Sequence, residues 1–180
     1  MLISLIGLPG SGKSSVGRRL ASRLQVAFLD SDLVIEQRLG CSIRQYFAEH
    51  GEASFRSCEA QVIADLTQSP DGVLATGGGA VLNQETRRCL KANSRVVYLR
   101  TTPEELVQRL RFDKSRPLLQ VADPLEQLRK LFKERQALYE ETAHFSVSTG
   151  HPSVSSVVRQ ILQHLDCAAD GTNGTAVSAQ

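Results

Sequence analysis

Gly7-Leu8-Pro9-Gly10-Ser11-Gly12-Lys13-Ser14 follows a short apolar run, Leu2-Ile3-Ser4-Leu5-Ile6, and opens a helical pattern that puts Val16, Leu20 and Leu24 on one face. The spacing is that of a Walker A loop, G-x-x-x-x-G-K-[ST], in its strand–loop–helix context. Glycines at 7, 10 and 12 let the backbone turn with its N–H groups inward, forming a nest for phosphate oxygens. The helix that follows adds its positive end to the attraction. Lys13 is placed to reach the outer phosphates and Ser14 to offer a hydroxyl to Mg²⁺. A plain strand-to-helix turn would need neither the Lys nor the Ser. A dinucleotide turn, G-x-G-x-x-G, is not matched, because Ser15 stands where its third glycine belongs.

The 180 residues suit one α/β domain with enough core to fold alone. A net charge of +2, from 21 basic and 19 acidic residues, gives no reason to invoke nucleic acid or a membrane. No apolar run reaches membrane-span length, and Met1 leads straight into a strand rather than a signal peptide. Cys41, Cys58, Cys89 and Cys167 are far apart and lack metal-site spacing, as are the four histidines, so reduced thiols in a cytoplasmic chain are expected.

Outward from the loop, Val26–Leu29 reads as a buried strand ending at Asp30, with Ser31 or Asp32 capping the next helix. Helical pieces follow near 42–49 and 52–67, broken at His50-Gly51. Strand three, Val73–Thr76, closes on Gly77-Gly78-Gly79. A helix near 84–91 leads to strand four, 95–100, whose continuous apolar centre fits a parallel sheet covered on both faces. Thr102-Pro103 starts a helix to about Arg111, and Asp123-Pro124 another to about Glu141. Strand five is 145–148. The last helix has apolar residues at 154, 157, 158, 161, 162 and 165, and a polar tail from Cys167 is expected to be disordered. Strands alternating with helices predict a parallel sheet with ligands beyond the carboxyl ends of its strands.

At those ends stand the residues that bear chemistry. Strand three ends in Thr76 and supplies no Walker B carboxylate, so Asp30 is the candidate to hold Mg²⁺ through its waters. Asp32, one step further out, is placed to face an acceptor. Helix capping explains one carboxylate of this pair well and two poorly. The glycine triplet is either a flexible turn or a place where a ligand meets backbone N–H groups directly. Arg135 falls inside the apolar stripe of Leu128, Leu131, Phe132, Leu138 and Tyr139. A guanidinium there is costly without an anion, unless its stem packs while its head reaches water. Arg56 sits beside another stripe, Phe55, Val62, Ile63 and Leu66. Arg116 precedes Pro117 and shares a basic segment with Arg109, Arg111 and Lys114, which reads as a solvated loop or as a lid closing over a triphosphate.

Taken together, GLPGSGKS, Asp30-Ser31-Asp32, Gly51-Glu52 with Phe55-Arg56, Gly77-Gly78-Gly79, Ser115-Arg116-Pro117-Leu118-Leu119, and Arg135 before Leu138-Tyr139 resemble the shikimate kinase family, within the nucleoside-monophosphate-kinase-like group of P-loop folds. The resemblance runs from about Leu2 to Leu165. It implies a three-layer α/β P-loop kinase fold with a five-stranded parallel sheet and helices on both faces. One domain is expected over 1–166, with an acceptor-binding region at about 31–66, a mobile lid at about 112–123, and the disordered tail at 167–180.

The resemblance further implies transfer of the γ-phosphoryl of ATP to the 3-hydroxyl of shikimate, with Mg²⁺, in aromatic amino-acid biosynthesis. Lys13 with Gly10, Ser11, Gly12, Ser14 and Ser15 would bind ATP, and Ser14 with Asp30, through water, the metal. Asp32 would bind the acceptor hydroxyls and take the proton. Arg56 and Arg135 would hold the substrate carboxylate, beside Gly77, Gly78 and Gly79. Arg116 would act on the phosphates from the lid, and Arg109 would flank the adenine. Ser15 stands where the family often has Thr, and Thr149-Gly150-His151-Pro152 receives no adenine contact. A monomer binding shikimate and ATP, with neither nucleic acid nor membrane, is expected. A gluconate or nucleoside-monophosphate kinase of the same fold would leave Arg56 and Arg135 without their partner. A catalytically silent binding module would not need the full polar set.

Overall fold

The computed structural model describes residues 1–110, 123–150 and 153–170. Five strands form one wholly parallel sheet: β1 (Leu2–Ile6), β2 (Phe28–Asp30), β3 (Gly72–Ala75), β4 (Arg95–Arg100) and β5 (Phe145–Ser148), in the spatial order β2-β3-β1-β4-β5. β1 is central, paired with β3 through Leu2–Gly72 and with β4 through Ile3–Arg95. Side-chain alternation divides it between two cores. Leu2 and Ile6 face one, with Leu90, Leu128 and Tyr139; Ile3 and Leu5 face the other, with Leu20, Val157 and Ile161. The helices α1 (Lys13–Leu24) and α7 (Val154–Asp170) cover the second face. Those covering the first include α4 (Gln84–Asn93), α5 (Pro103–Leu110) and α6 (Pro124–Thr142). The expected layers and strand number are present.

Several boundaries differ from expectation for physical reasons. β2 starts at Phe28 and is half-buried, because it lies on the sheet edge with one neighbour. β3 stops at Ala75, although the amide of Thr76 still donates to Leu5 O at 3.2 Å. Leu24 is 37% exposed and does not share the buried face of Val16 and Leu20; the chain turns at Gln25, in the left-handed region. α7 continues through Asp170, so the expected tail does not begin at Cys167. Its run Cys167-Ala168-Ala169 contains nothing that breaks a helix. The rest of that tail and nearly all of the expected lid, Arg116 included, lie outside the described residues.

The acceptor-side region consists of α2 (Ser31–Leu39) and α3 (Ile43–Leu66), with a small core of its own: Ile35, Phe55 and Val62, packed by Val34, Phe47 and Leu66. α3 is interrupted at Gly51, whose φ of 77° and ψ of 173° are reached easily only without a side chain. That break, foreseen at His50-Gly51, lets the second half of α3 run back toward the sheet. It carries Arg56 and Glu59 with it.

Candidate active site

β1 delivers the chain to the phosphate loop with no slack, since Ile6 and Leu8 are fully buried on either side of Gly7. Gly10 and Gly12 take φ values of 86° and 96°, and Gly12 caps α1 without any side-chain bond. The first N–H groups of α1 are thus offered to a ligand. Lys13 is 8% exposed and folds back over the loop, its Nζ donating to Gly7 O at 2.8 Å and Leu8 O at 2.9 Å. Ser14 Oγ donates to Asp30 Oδ2 at 3.0 Å. Gly10, Gly12, Lys13, Ser14, Asp30 and Asp32 are among the residues around one cavity of about 240 Å³, with Thr76 and Gly78 opposite.

Asp30, rather than Ser31 or Asp32, caps α2: its Oδ1 accepts from the Asp32 amide at 3.2 Å. One oxygen of Asp30 therefore holds the helix while the other meets Ser14. Capping and cavity functions fall on the same carboxylate, and Asp32 is left to the cavity. Burial above all, then the nearby Asp30 charge, pushes the Asp32 carboxyl above its ordinary range, while Lys13 pulls it down. Ser31 is fully buried and its Oγ accepts from the Gly77 amide at 3.1 Å. This corrects part of the expectation for the triplet, since the Gly77 N–H is already occupied.

The triplet lacks side chains because other side chains crowd it. A Cβ at Gly77 would stand 2.8 Å from Asp32 Oδ1 and 2.9 Å from Glu59 Oε1, and one at Gly79 would overlap the Arg56 guanidinium. Gly78 O accepts from Tyr139 Oη at 2.6 Å and from Arg135 Nη1 at 3.2 Å. Asp32, Arg56, Arg135 and the triplet therefore meet at one end of the sheet. The Arg135 side chain is 12% exposed, and Glu134 Oε2 lies 3.7 Å from its Nε. That Nε is buried and makes no hydrogen bond among the described residues. A guanidinium so enclosed retains donor capacity for an anion.

Glu59 belongs to the site and was not foreseen. It is 2% exposed and accepts from Arg56 Nη1 at 2.6 Å, while Glu52 accepts from Arg56 Nη2 at 3.1 Å. Burial raises the Glu59 carboxyl, and Arg56 opposes the shift. The i, i+3 spacing from Arg56 was the available signal. Arg56→Ala is expected to destabilise the protein by about 3 kcal/mol at neutral pH, because it strands a buried carboxylate. A carboxyl raised on folding costs nothing below its unfolded pKa, where both states are protonated. The penalty grows as pH rises through the folded value. The loss should therefore shrink in urea titrations toward pH 4, and Glu59→Gln added to Arg56→Ala should recover most of it. Equal losses at both pH values would contradict this account.

Arg109 lies beyond the loop, where its guanidinium donates to Ser11 O at 3.3 Å, Gly150 O at 3.2 Å and Thr149 O. It borders a second cavity of about 380 Å³ with Ser11, Gly12, Ser15, Thr149 and Gly150. Among the described residues no cluster of His, Cys, Asp and Glu is built to hold a metal ion alone. Ser14 and Asp30 are hard oxygen donors, and two such groups fit a Mg²⁺ that brings waters and substrate phosphates as its other ligands.

Comparison with known proteins adds four findings. The family model described as shikimate kinase matches residues 9–166. A shikimate kinase of Paracidovorax citrulli is 52% identical over 169 residues, 92% of either chain. Among solved structures, shikimate kinase from Acinetobacter baumannii in complex with shikimate superposes with a TM-score of 0.86 at 42% identity, covering 97% of this chain and 95% of that one. The enzyme from Aquifex aeolicus gives a TM-score of 0.82 at 37% identity, covering 94% and 98%.

Proposed function

The chain belongs to the shikimate kinase family, and from that premise we propose how its residues divide the work of the reaction. The enzyme transfers the γ-phosphoryl group of ATP to the 3-hydroxyl of shikimate, giving shikimate 3-phosphate and ADP in aromatic amino-acid biosynthesis. The observation carrying the assignment of roles is the convergence of a phosphate nest, a desolvated Asp32 and two partly enclosed arginines on one end of the sheet.

The amides of Gly10 to Ser15 and the Lys13 ammonium grip the phosphates. Lys13 leaves the Gly7 and Leu8 carbonyls to do so. Ser14, and Asp30 through water, hold Mg²⁺, which when bound offsets charge on the phosphate oxygens. Arg109 flanks the nucleotide base. Arg116 is proposed to act from the lid, as the resemblance implies. Arg135, whose Nε has no hydrogen bond among the described residues, and Arg56, steered by Glu59, bind the substrate carboxylate. That carboxylate answers the cost of a guanidinium in an apolar stripe. Asp32 accepts the hydrogen bond of the 3-hydroxyl. As the hydroxyl oxygen bonds to the γ-phosphorus and the bond to the β–γ bridging oxygen breaks, the proton passes to the Asp32 carboxylate. Positioning and charge neutralisation supply most of the acceleration in such a transfer.

One chain carries every group named, so the catalytic unit is proposed to be a monomer. No described helix is long and apolar enough to cross a membrane. A cytoplasmic location is part of the same proposal, supported by four free cysteines.

Arg135→Ala is expected to weaken shikimate binding by about 10- to 100-fold, the worth of hydrogen bonds to a charged group. ATP binding should be nearly unchanged. Titration of the folded variant with each ligand checks this, and unaltered shikimate affinity would remove the role. The activity itself is tested by coupled ADP release with Mg-ATP and shikimate, gluconate or AMP as acceptor. Turnover with shikimate alone is the expected result, and preference for either other acceptor would overturn it.

A further inference from the structure

Three guanidinium groups border a groove the reaction does not use. Arg19 and Arg23 of α1 and Ser155 and Arg159 of α7, with Val158 and Leu162, line a cavity of about 310 Å³. No acidic residue lines it, and it shares none with the cavity around Lys13. Several arginines elsewhere are matched, Arg38 with Asp65, Arg56 with Glu59, Arg88 with Glu85 and Arg129 with Glu104, while Arg18 and Arg95 lie over aromatic rings; Arg44 and Arg100 stand singly, not in a cluster. Among the described residues Arg19, Arg23 and Arg159 form no ion pair or hydrogen bond.

Chain chemistry deepens the imbalance. α1 contains no acidic residue, and Arg19 and Arg23 stand at i, i+4, where like charges repel. Arg23 is in the last turn, where the helix dipole favours a cation, but Arg19 and Arg159 are mid-helix and gain nothing from it. Opposite α1, α7 adds a third cation to the repulsion where an acid would have relieved it. Val158 is 3% exposed and gives the groove an apolar floor, while Arg19, Arg23 and Arg159 are exposed around it and open to a ligand from solvent.

We infer that this groove binds a compact polyanion, a small molecule bearing two or more phosphate or carboxylate groups, independently of the nucleotide. Guanidinium forks suit either group bidentately, and the Ser155 hydroxyl is a further donor in the lining. The volume is at the low end for a small-molecule site. The groove also lies one turn along the α1–α7 seam from the cavity that Ser15, Val154 and Val157 border. An occupant would therefore rest against the helix that carries Lys13 and Ser14.

The test follows backbone amide shifts of the full chain, saturated with ADP and shikimate in metal-free buffer, during separate titrations with pyrophosphate and tricarballylate. Saturable shifts are expected around residues 19–23 and 155–162, with affinity about tenfold weaker in the Arg23→Gln/Arg159→Gln double variant. Shikimate turnover of that variant should match wild type. The probe that binds more tightly tells phosphate from carboxylate. Shifts confined to residues 7–14, no saturable shift with either probe, or undiminished affinity in the variant would each overturn the inference.

Discussion

Asp32→Asn is expected to lower kcat by about 10²- to 10⁴-fold, the usual worth of a positioned general base, while leaving the unliganded protein at least as stable as wild type. Both halves follow from one environment. Asp32 is pressed against Gly77 and shares its surroundings with Asp30 and Glu59, so its charge is held at a cost. Its pKa is raised on folding. Below the unfolded value both states are protonated and the group contributes nothing. As pH rises through the folded value, the unfolded chain ionises more readily and stability falls. Asparagine keeps the shape and removes that penalty, but it cannot accept the hydroxyl proton. Stopped turnover with an unchanged or raised melting temperature is the expected pair of results. Wild-type kcat would take Asp32 out of the proton transfer, and a large drop in melting temperature would contradict the account of its charge.

The parts legible in the sequence were those where local chemistry and tertiary structure agree. The phosphate loop needs particular backbone angles, a lysine and a hydroxyl at fixed spacing, and all are local. β4 and β5 lie where their apolar and β-branched runs place them. Arg135 was legible as a conflict, a charge in an apolar stripe, and such conflicts tend to mark sites. Glu59 was not, because an acid on a mixed helix resembles a solvated face until Gly51 turns the second half of α3 inward. The Asp30 cap escaped for a similar reason. Three consecutive capping residues all satisfy the local rule, and only the sheet decides that Ser31 bonds to Gly77. The crowding at the triplet is equally non-local: Asp32, Arg56 and Glu59 approach it from other elements.

Lys13→Ala is expected to lower kcat by about 10²- to 10³-fold, the loss seen when one preorganised donor to developing charge is removed. The ammonium is nearly enclosed, and the Gly7 and Leu8 carbonyls hold it in place before any nucleotide arrives. A cation already desolvated reorganises little when phosphate replaces those carbonyls, which is why its effect should fall on turnover. Arginine is a poor substitute, since a planar fork does not fit a pocket shaped for a point donor. Shikimate affinity should persist, because Arg56 and Arg135 reach the cleft from other helices. Stability is expected to move opposite to Asp32→Asn: the buried carbonyls lose their donor and the melting temperature falls. Two slowed variants, only one of them with a lowered melting temperature, cannot share a folding defect, so the pair separates lost chemistry from lost structure. Turnover of Lys13→Ala within a few-fold of wild type would show that the main-chain amides alone neutralise the transferred group.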